Sequence, residues 1–284
     1  MIADRTARMM KVFAALVLCG FLFGSRVSAA SKLYVAPGGS DDNAGTRSQP
    51  LRSVHEAQNR VRKMVAEGLE SDVRVVLREG TYRLSEPLRM DHRDSGTARH
   101  SITYSAHADE DVVLSGGTRL TDWQNGDDEL WVARVPTGME ADFRELYVGG
   151  RRAVRARTPN GAMCAVREAH MPEGGNTPTI TVPEECIGAW KDDEGVEVLI
   201  NANWAINRKP VTSVGSDGTI TLASPFIRGP HYNRPRKGRW CYFENAMAML
   251  DEPGEWYLAP ETRKVYYWPR NGESMRDAAA VAPR

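Results

Sequence analysis

From Val73 onward the chain is a series of short β-rich runs separated by turn signals, and that rhythm limits what it can fold into. Val73-Arg74-Val75-Val76-Leu77 is followed by Tyr82 and Leu84, Leu88 and Met90, Ile102 and Tyr104, then Val112 to Leu114, with turns at Arg78-Glu79-Gly80 and Ser95-Gly96. Short strands roughly ten residues apart suit a sandwich, a barrel or a solenoid. One amphipathic helix precedes them. Ser53 is its expected N-cap, with Glu56 three residues on as in a capping box. Val54, Ala57, Val61, Met64 and Val65 form one apolar stripe, and Gly68 stops the helix. A solenoid has an open end that needs a cap, and a lone amphipathic helix supplies one. That consideration favours the solenoid.

A second texture begins near Thr118. Leu130-Trp131-Val132, Phe143 to Val148, Arg151 to Arg157, Val196 to Ile200, Val211 to Val214, Thr219 to Leu222, Glu255 to Leu258 and Lys264 to Trp268 read as strands. Gly149-Gly150 and Asp217-Gly218 sit in the place of two-residue hairpin turns. Gly161 to Asp193 is the least patterned stretch and reads as loop, and Asn271 to Arg284 carries no closing element. The expected organisation is therefore 1–30 signal peptide, 31–117 cap and first strands, 118–268 inserted β-rich domain, and 269–284 return segment.

The signal peptide rests on Arg5, Arg8 and Lys11 before an apolar run, Val12 to Gly24, with small residues at Val27-Ser28-Ala29-Ala30. The run is shorter than the roughly 20 residues of a membrane span, so the expected product is secreted or periplasmic, with no membrane partner after cleavage. The whole chain carries 37 basic and 37 acidic residues. A nucleic-acid partner would call for a strongly basic face, and none is expected. Outside the signal the cysteines are Cys164, Cys186 and Cys241, an odd number. Either Cys164 pairs with Cys186 in an oxidising compartment or all three are buried thiols.

Three stretches resemble one family. Leu33-Tyr34-Val35-Ala36-Pro37-Gly38-Gly39-Ser40-Asp41-Asp42-Asn43-Ala44-Gly45-Thr46, with Gln49-Pro50-Leu51 and the helix, resembles the opening of right-handed parallel β-helix carbohydrate-active enzymes. Val76 to Tyr82, Ile102-Thr103-Tyr104 and Val113 to Gly117 resemble their first rungs. Leu146 to Asn160, with Gly254 to Leu258 and Val265 to Pro269, is similar to the β-domain inserted near the start of glycoside hydrolase family 141-like proteins. The resemblance implies an all-β, pectin-lyase-like fold: the start of a right-handed parallel β-helix with an N-terminal capping helix, plus the inserted β-rich domain. It implies action on plant or algal polysaccharide, with fucosidase or xylanase activity in the family. Family members continue past the insert through the rungs that form the sugar cleft. The catalytic residues are therefore expected beyond Arg284, and the chain is expected to be a truncated form without catalysis of its own. A non-catalytic polysaccharide-binding module and a polysaccharide lyase are the alternatives, because one fold hosts many chemistries.

The residues themselves yield no catalytic pair. A glycosidase needs two facing carboxyl groups; Asp91, Asp94, Asp109, Glu110 and Asp111 read as solvated turn residues. Asp41-Asp42-Asn43 is a calcium candidate, set against an Asx-rich turn; no other cofactor is expected. Flat aromatic rings stack on sugar faces, and Trp240, Tyr242, Trp256 and Trp268 are the sugar-contact candidates, with Tyr266 and Trp268 facing one way and Tyr267 the other. Arg236 belongs to a basic loop, His231 to Arg239, whose Arg234, Arg236, Lys237 and Arg239 are candidates to attract an acidic polysaccharide, set against the favoured reading of a solvated loop.

Overall fold

In a computed structural model, the structure describes residues 29–140, 142–170, 177–223, 235–276 and 278–283. The export stretch up to residue 28 and His231 to Arg234 of the basic loop lie outside the described residues. The chain divides into two units, Met1–Ser115 and Gly116–Arg284. No helix among the described residues is long and apolar enough to cross a membrane.

In the first unit the helix spans Val54–Glu67. Ser53 Oγ accepts the Glu56 N–H at 3.0 Å, which is half of the expected capping box. The other half does not form: the Glu56 carboxylate turns to Arg60 at 2.8 Å, and the Ser53 N–H goes to Asp41 Oδ1 at 2.8 Å. Val54, Ala57 and Val61 bury against Leu33, Val35, Val73, Val75 and Leu77, each large apolar side chain contributing about 1.5–3 kcal/mol on burial. Beneath the helix, Ser31–Val35, Val73–Leu77 and Ile102–Ala106 form a parallel sheet, with Ser31 opposite Val73 and Val73 opposite Ile102. Gly80–Arg83 pairs in parallel with Val112–Ser115. After the first strand, each pass of the chain adds one strand to each ladder. Gly80, at φ 129°, makes the corner between them, where a Cβ would meet Pro37 Cγ at 2.9 Å. Leu88 and Met90 form no strand. The chain there enters a 3₁₀ turn, His92–Asp94, capped by Asp91 and tied down by Arg62 on Asp94 at 2.8 Å. Asp94 and Glu110 are therefore ion-paired, Glu110 with Arg78 at 2.8 Å, rather than simply solvated.

Among the described residues the second unit holds three sheets. One joins Arg151–Arg152, Tyr147–Val148, Ala280–Ala282 and Thr118–Leu120. A second joins Val154–Arg155, Glu255–Ala259, Lys264–Tyr267, Trp131–Arg134 and Gln124–Asn125. The third, of eight strands, runs from Arg157–Thr158 through Trp240–Glu244, Glu197–Ala202, Ala205–Val214, Thr219–Leu222 and Thr179–Thr181 to Glu168–His170, with Cys164–Ala165 also on Trp240–Glu244. Pairing is antiparallel throughout, except where Val154–Arg155 meets Glu255–Ala259. The fold is mostly β, and among the described residues its parallel ladders are confined to the first unit and that one contact.

The segment 147–158 threads all three sheets. Gly149 and Gly150, at φ 57° and 76°, make the tight turn that only glycine enters freely. The chain then gives one short strand to each sheet in succession, crossing at Ala153 and Ala156, both buried, where a larger side chain would hold the sheets apart.

Two stretches differ from the sequence reading. The described residues of 161–193 include strands and 3₁₀ turns, and Cys164, Val166, Ile180, Val182, Cys186 and Trp190 enter the core of the eight-stranded sheet. Strands of two or three residues leave no periodic window to read. Cys164 and Cys186 form a disulfide. Cys241, directly opposite Cys164, is free and buried, and burial pushes its thiol pKa up to about 12. Asn271 to Arg284, read as carrying no closing element, contributes the strand Ala280–Ala282, which lies between the strands Thr118–Leu120 and Tyr147–Val148.

Candidate carbohydrate platform

Side chains alternate across a strand, so Trp240, Tyr242 and Glu244 share one face of the eight-stranded sheet, while Cys241 and Phe243 point into the core. The register sets Leu199 beside Tyr242 and Glu197 beside Glu244. On the next strand Ile206 and Arg208 pair with Asn201 and Leu199. Trp240 and Tyr242 are half-buried, and about 7 Å separates alternate residues of a strand. The Arg157 guanidinium lies 5.8 Å from the Tyr242 ring centroid. Arg239 donates to the amide oxygens of Asn201 and Asn203. At the hairpin end of this face Trp204 is 87% exposed and Ile206 55%. The result is an aromatic strip edged with guanidinium and amide groups, suited to a ligand with apolar faces and hydroxyl edges.

The other end of the same face is closed by buried charge. Glu197 and Glu244 face each other across the strands. Arg155 Nη1 bonds both, Glu244 at 2.6 Å, and Arg208 bonds Glu244 and lies 3.5 Å from Glu197. Arg144 adds a 2.9 Å bond to Glu197. Burial opposes the Glu197 charge, but hydrogen bonds from Arg144 and Arg155 overcome it and hold the pKa at about 2. Two facing carboxyl groups are what a glycosidase requires. These two are locked in an ion cluster, and Glu197 cannot serve as a general acid near neutral pH.

The sugar-contact candidates divide. Trp240 and Tyr242 meet on the platform. Trp256 does not: it is 0% exposed, stacked on Phe143 at a centroid distance of 5.4 Å. Trp268 packs against the core of the eight-stranded sheet beside Tyr266, on the opposite side from Tyr267. Arg236 is exposed, and its carbonyl accepts the Arg239 N–H at 3.2 Å, in the turn that leads into Trp240. In the first unit, Asp41 Oδ1 accepts the N–H groups of Arg52 and Ser53, Asn43 donates to the Pro50 carbonyl at 2.9 Å, and the Asp42 N–H meets Ser40 Oγ. These bonds hold the turn that leads into the helix. Among the described residues no cluster of three or more His, Cys, Asp or Glu has metal-binding geometry. Sequence reasoning missed Arg155, Arg157, Asn201, Arg208, Glu197 and Glu244. The only local signal was the period-two placement of Trp240, Tyr242 and Glu244. A separate open cleft of about 810 Å³, bordered by Gln124, Asn125, Asp127, Lys264 and Tyr266, includes none of the platform residues.

One further carboxyl is out of the ordinary. Glu255 is 3% exposed, and burial pushes its pKa up to about 7 although it accepts N–H groups of Asp251 and Glu252. With the folded pKa above the ordinary 4.5, its stabilising contribution is complete below the unfolded value and is lost as pH rises through 7. Glu255→Gln is therefore expected to gain on the parent between those limits, by on the order of 3 kcal/mol above pH 7. Urea midpoints from acid to mildly alkaline pH test this, and parallel curves would refute it.

Against this geometry, a family model described as the GH141 insertion domain matches residues 128–270. The chain belongs to the GH141 insertion-domain family. The matched span of the GH141 insertion domain contains the platform, the charge cluster and Glu255. A solved structure named as a glycoside hydrolase superposes with a TM-score of 0.78 at 30% identity, over 89% of this chain and 46% of its own. The uncharacterized protein YwoF of Bacillus subtilis (strain 168) is 37% identical over 84 residues, which is 30% of this chain and 15% of YwoF. The chain thus spans less than half the length of these relatives.

Proposed function

We propose that the chain serves a polysaccharide-degrading protein of the glycoside hydrolase class, and that its GH141 insertion domain holds the glycan rather than cutting it. The observation that carries this is the Trp240–Tyr242 pair on one sheet face with Arg157 over Tyr242. The ionised, arginine-bound state of Glu197 favours holding over cutting. The parallel ladders of the first unit support reading it as the first turns of a right-handed parallel β-helix, with catalytic carboxyl groups outside the residues described. The Cys164–Cys186 disulfide suits an oxidising compartment, in keeping with export directed by residues 1–30. Plant or algal cell-wall glycans are the proposed targets.

Affinity electrophoresis in gels containing xylan, fucoidan or pectin tests the reading. Retardation by at least one of them is expected, and Trp240→Ala is expected to weaken it roughly tenfold, the scale of a lost ring-stacking contact. No reducing ends should be released. Unretarded migration in all three gels would refute binding, and sugar release by the chain would refute the assignment of a purely holding role.

A further inference from the structure

We infer that the glycan held on this face is anionic, with carboxylate or sulfate groups spaced to meet Arg157 at one end of the Trp240–Tyr242 strip and Arg239 at the other. The inference rests on the proposed binding role and adds the chemical class of the ligand.

Five arginines, Arg144, Arg155, Arg157, Arg208 and Arg239, belong to this face or its buried end. Glu197 and Glu244 answer three of them, and Asp251 sits at the edge, bound by the Asn160 amide at 2.7 Å. Arg157 and Arg239 have no carboxylate partner among the described residues. Arg157 gives one Nη2–H to the Asn160 carbonyl at 3.2 Å and otherwise lies over Tyr242, with its Nε buried and without a partner. Arg239 is held by two amide oxygens, which orient the guanidinium without neutralising it. The whole chain carries equal numbers of acidic and basic residues, so the surplus is local to this face. A neutral sugar would be served by the rings and amides alone. Guanidinium forks match the planar pair of oxygens on a carboxylate, or two oxygens of a sulfate, and complementary charge gives specificity.

The test uses the full chain and three probes: polygalacturonate for carboxylate, fucoidan for sulfate ester, and an unsubstituted xylo-oligosaccharide as the neutral arm. Binding to one of the charged probes is expected to be at least tenfold tighter than to the neutral one at low salt. That advantage should shrink as salt rises to about 0.5 M, where the screening length falls to a few ångströms. The variant Arg157→Gln/Arg239→Gln should lose the advantage, bringing the charged and neutral probes to within about twofold of each other. Tight binding to polygalacturonate alone identifies a uronate ligand, and to fucoidan alone a sulfated one; either supports the inference. Equal, salt-insensitive binding of all three overturns the inference and leaves the binding role standing. Binding of none overturns both. The salt dependence of the unmodified chain decides the matter even if the double variant fails to fold.

Discussion

Replacing Arg155 by alanine is expected to lower the unfolding free energy of the insertion domain by about 3–5 kcal/mol, the cost of stripping a buried charge cluster of one partner. Arg155 is 10% exposed and is the one arginine of the cluster that lies wholly within it, since Arg208 and Arg144 keep a third to nearly half of their side chains in water. Its Nη1 spans Glu197 and Glu244, its Nε lies 3.3 Å from Asn245 Oδ1, and its guanidinium rests 5.9 Å from the Trp256 ring. Lysine cannot reproduce that reach, because one ammonium cannot both bridge two carboxylates and keep a second, in-plane donor for Asn245. The sign of the pH dependence follows. The pKa of Glu197 lies below its ordinary value, so its stabilising contribution is present above about 4.5 and is lost as pH falls towards 2. Without Arg155 that loss should begin at higher pH. Urea unfolding of Arg155→Ala at neutral pH measures the first effect, and an acid titration of the folded state the second. Adding Glu197→Gln and Glu244→Gln to Arg155→Ala should recover part of the lost stability. A single variant within 1 kcal/mol of the parent would mean that the cluster is solvated in solution.

Trp256→Ala should cost a similar amount, about 3–5 kcal/mol for emptying an aromatic site in a packed core. Trp256 is among the largest fully buried side chains. It lies parallel to Phe143 within 8° and supports the strand Glu255–Ala259, whose residues from Glu255 to Leu258 are all buried. Its Nε1 is buried without an acceptor among the described residues, so Trp256→Phe should be milder than truncation alone would suggest, because it removes that orphan donor along with some volume. Calorimetry of Trp256→Ala beside Trp240→Ala separates two roles: the first should lower the melting temperature and the second should mainly weaken glycan binding. The reverse pattern would mean that core and platform have been exchanged.

The contrast between these two tryptophans marks where sequence reasoning stops. Alternation within Trp240 to Glu244 puts Trp240 and Tyr242 on one face, and the same logic separates Tyr266 and Trp268 from Tyr267. Periodicity cannot tell which face meets water. Glu255 to Leu258 has no alternating burial at all, because that strand lies between two cores. The helix Val54–Glu67 was legible to the residue, since capping and a 3.6-residue stripe are local properties. The charge cluster was not legible. Arg155 meets Glu197 and Glu244 from 42 and 89 residues away, and only the register of strands distant in sequence brings them together. Family resemblance reached further than periodicity in the insertion domain, because Leu146 to Asn160 is a motif even where its strands are too short to announce themselves.

That same stretch bears on how the domain comes apart. A sheet that shares no chain with its neighbours can melt by itself and leave them standing. Here one short ribbon lends a strand to each of three sheets within residues 147–158, so none of them can peel away without dragging a length of backbone out of the other two. Fraying of any one sheet is therefore penalised by all three. Amide hydrogens in the three sheets should exchange with similar protection, opening together in a single global event rather than sheet by sheet.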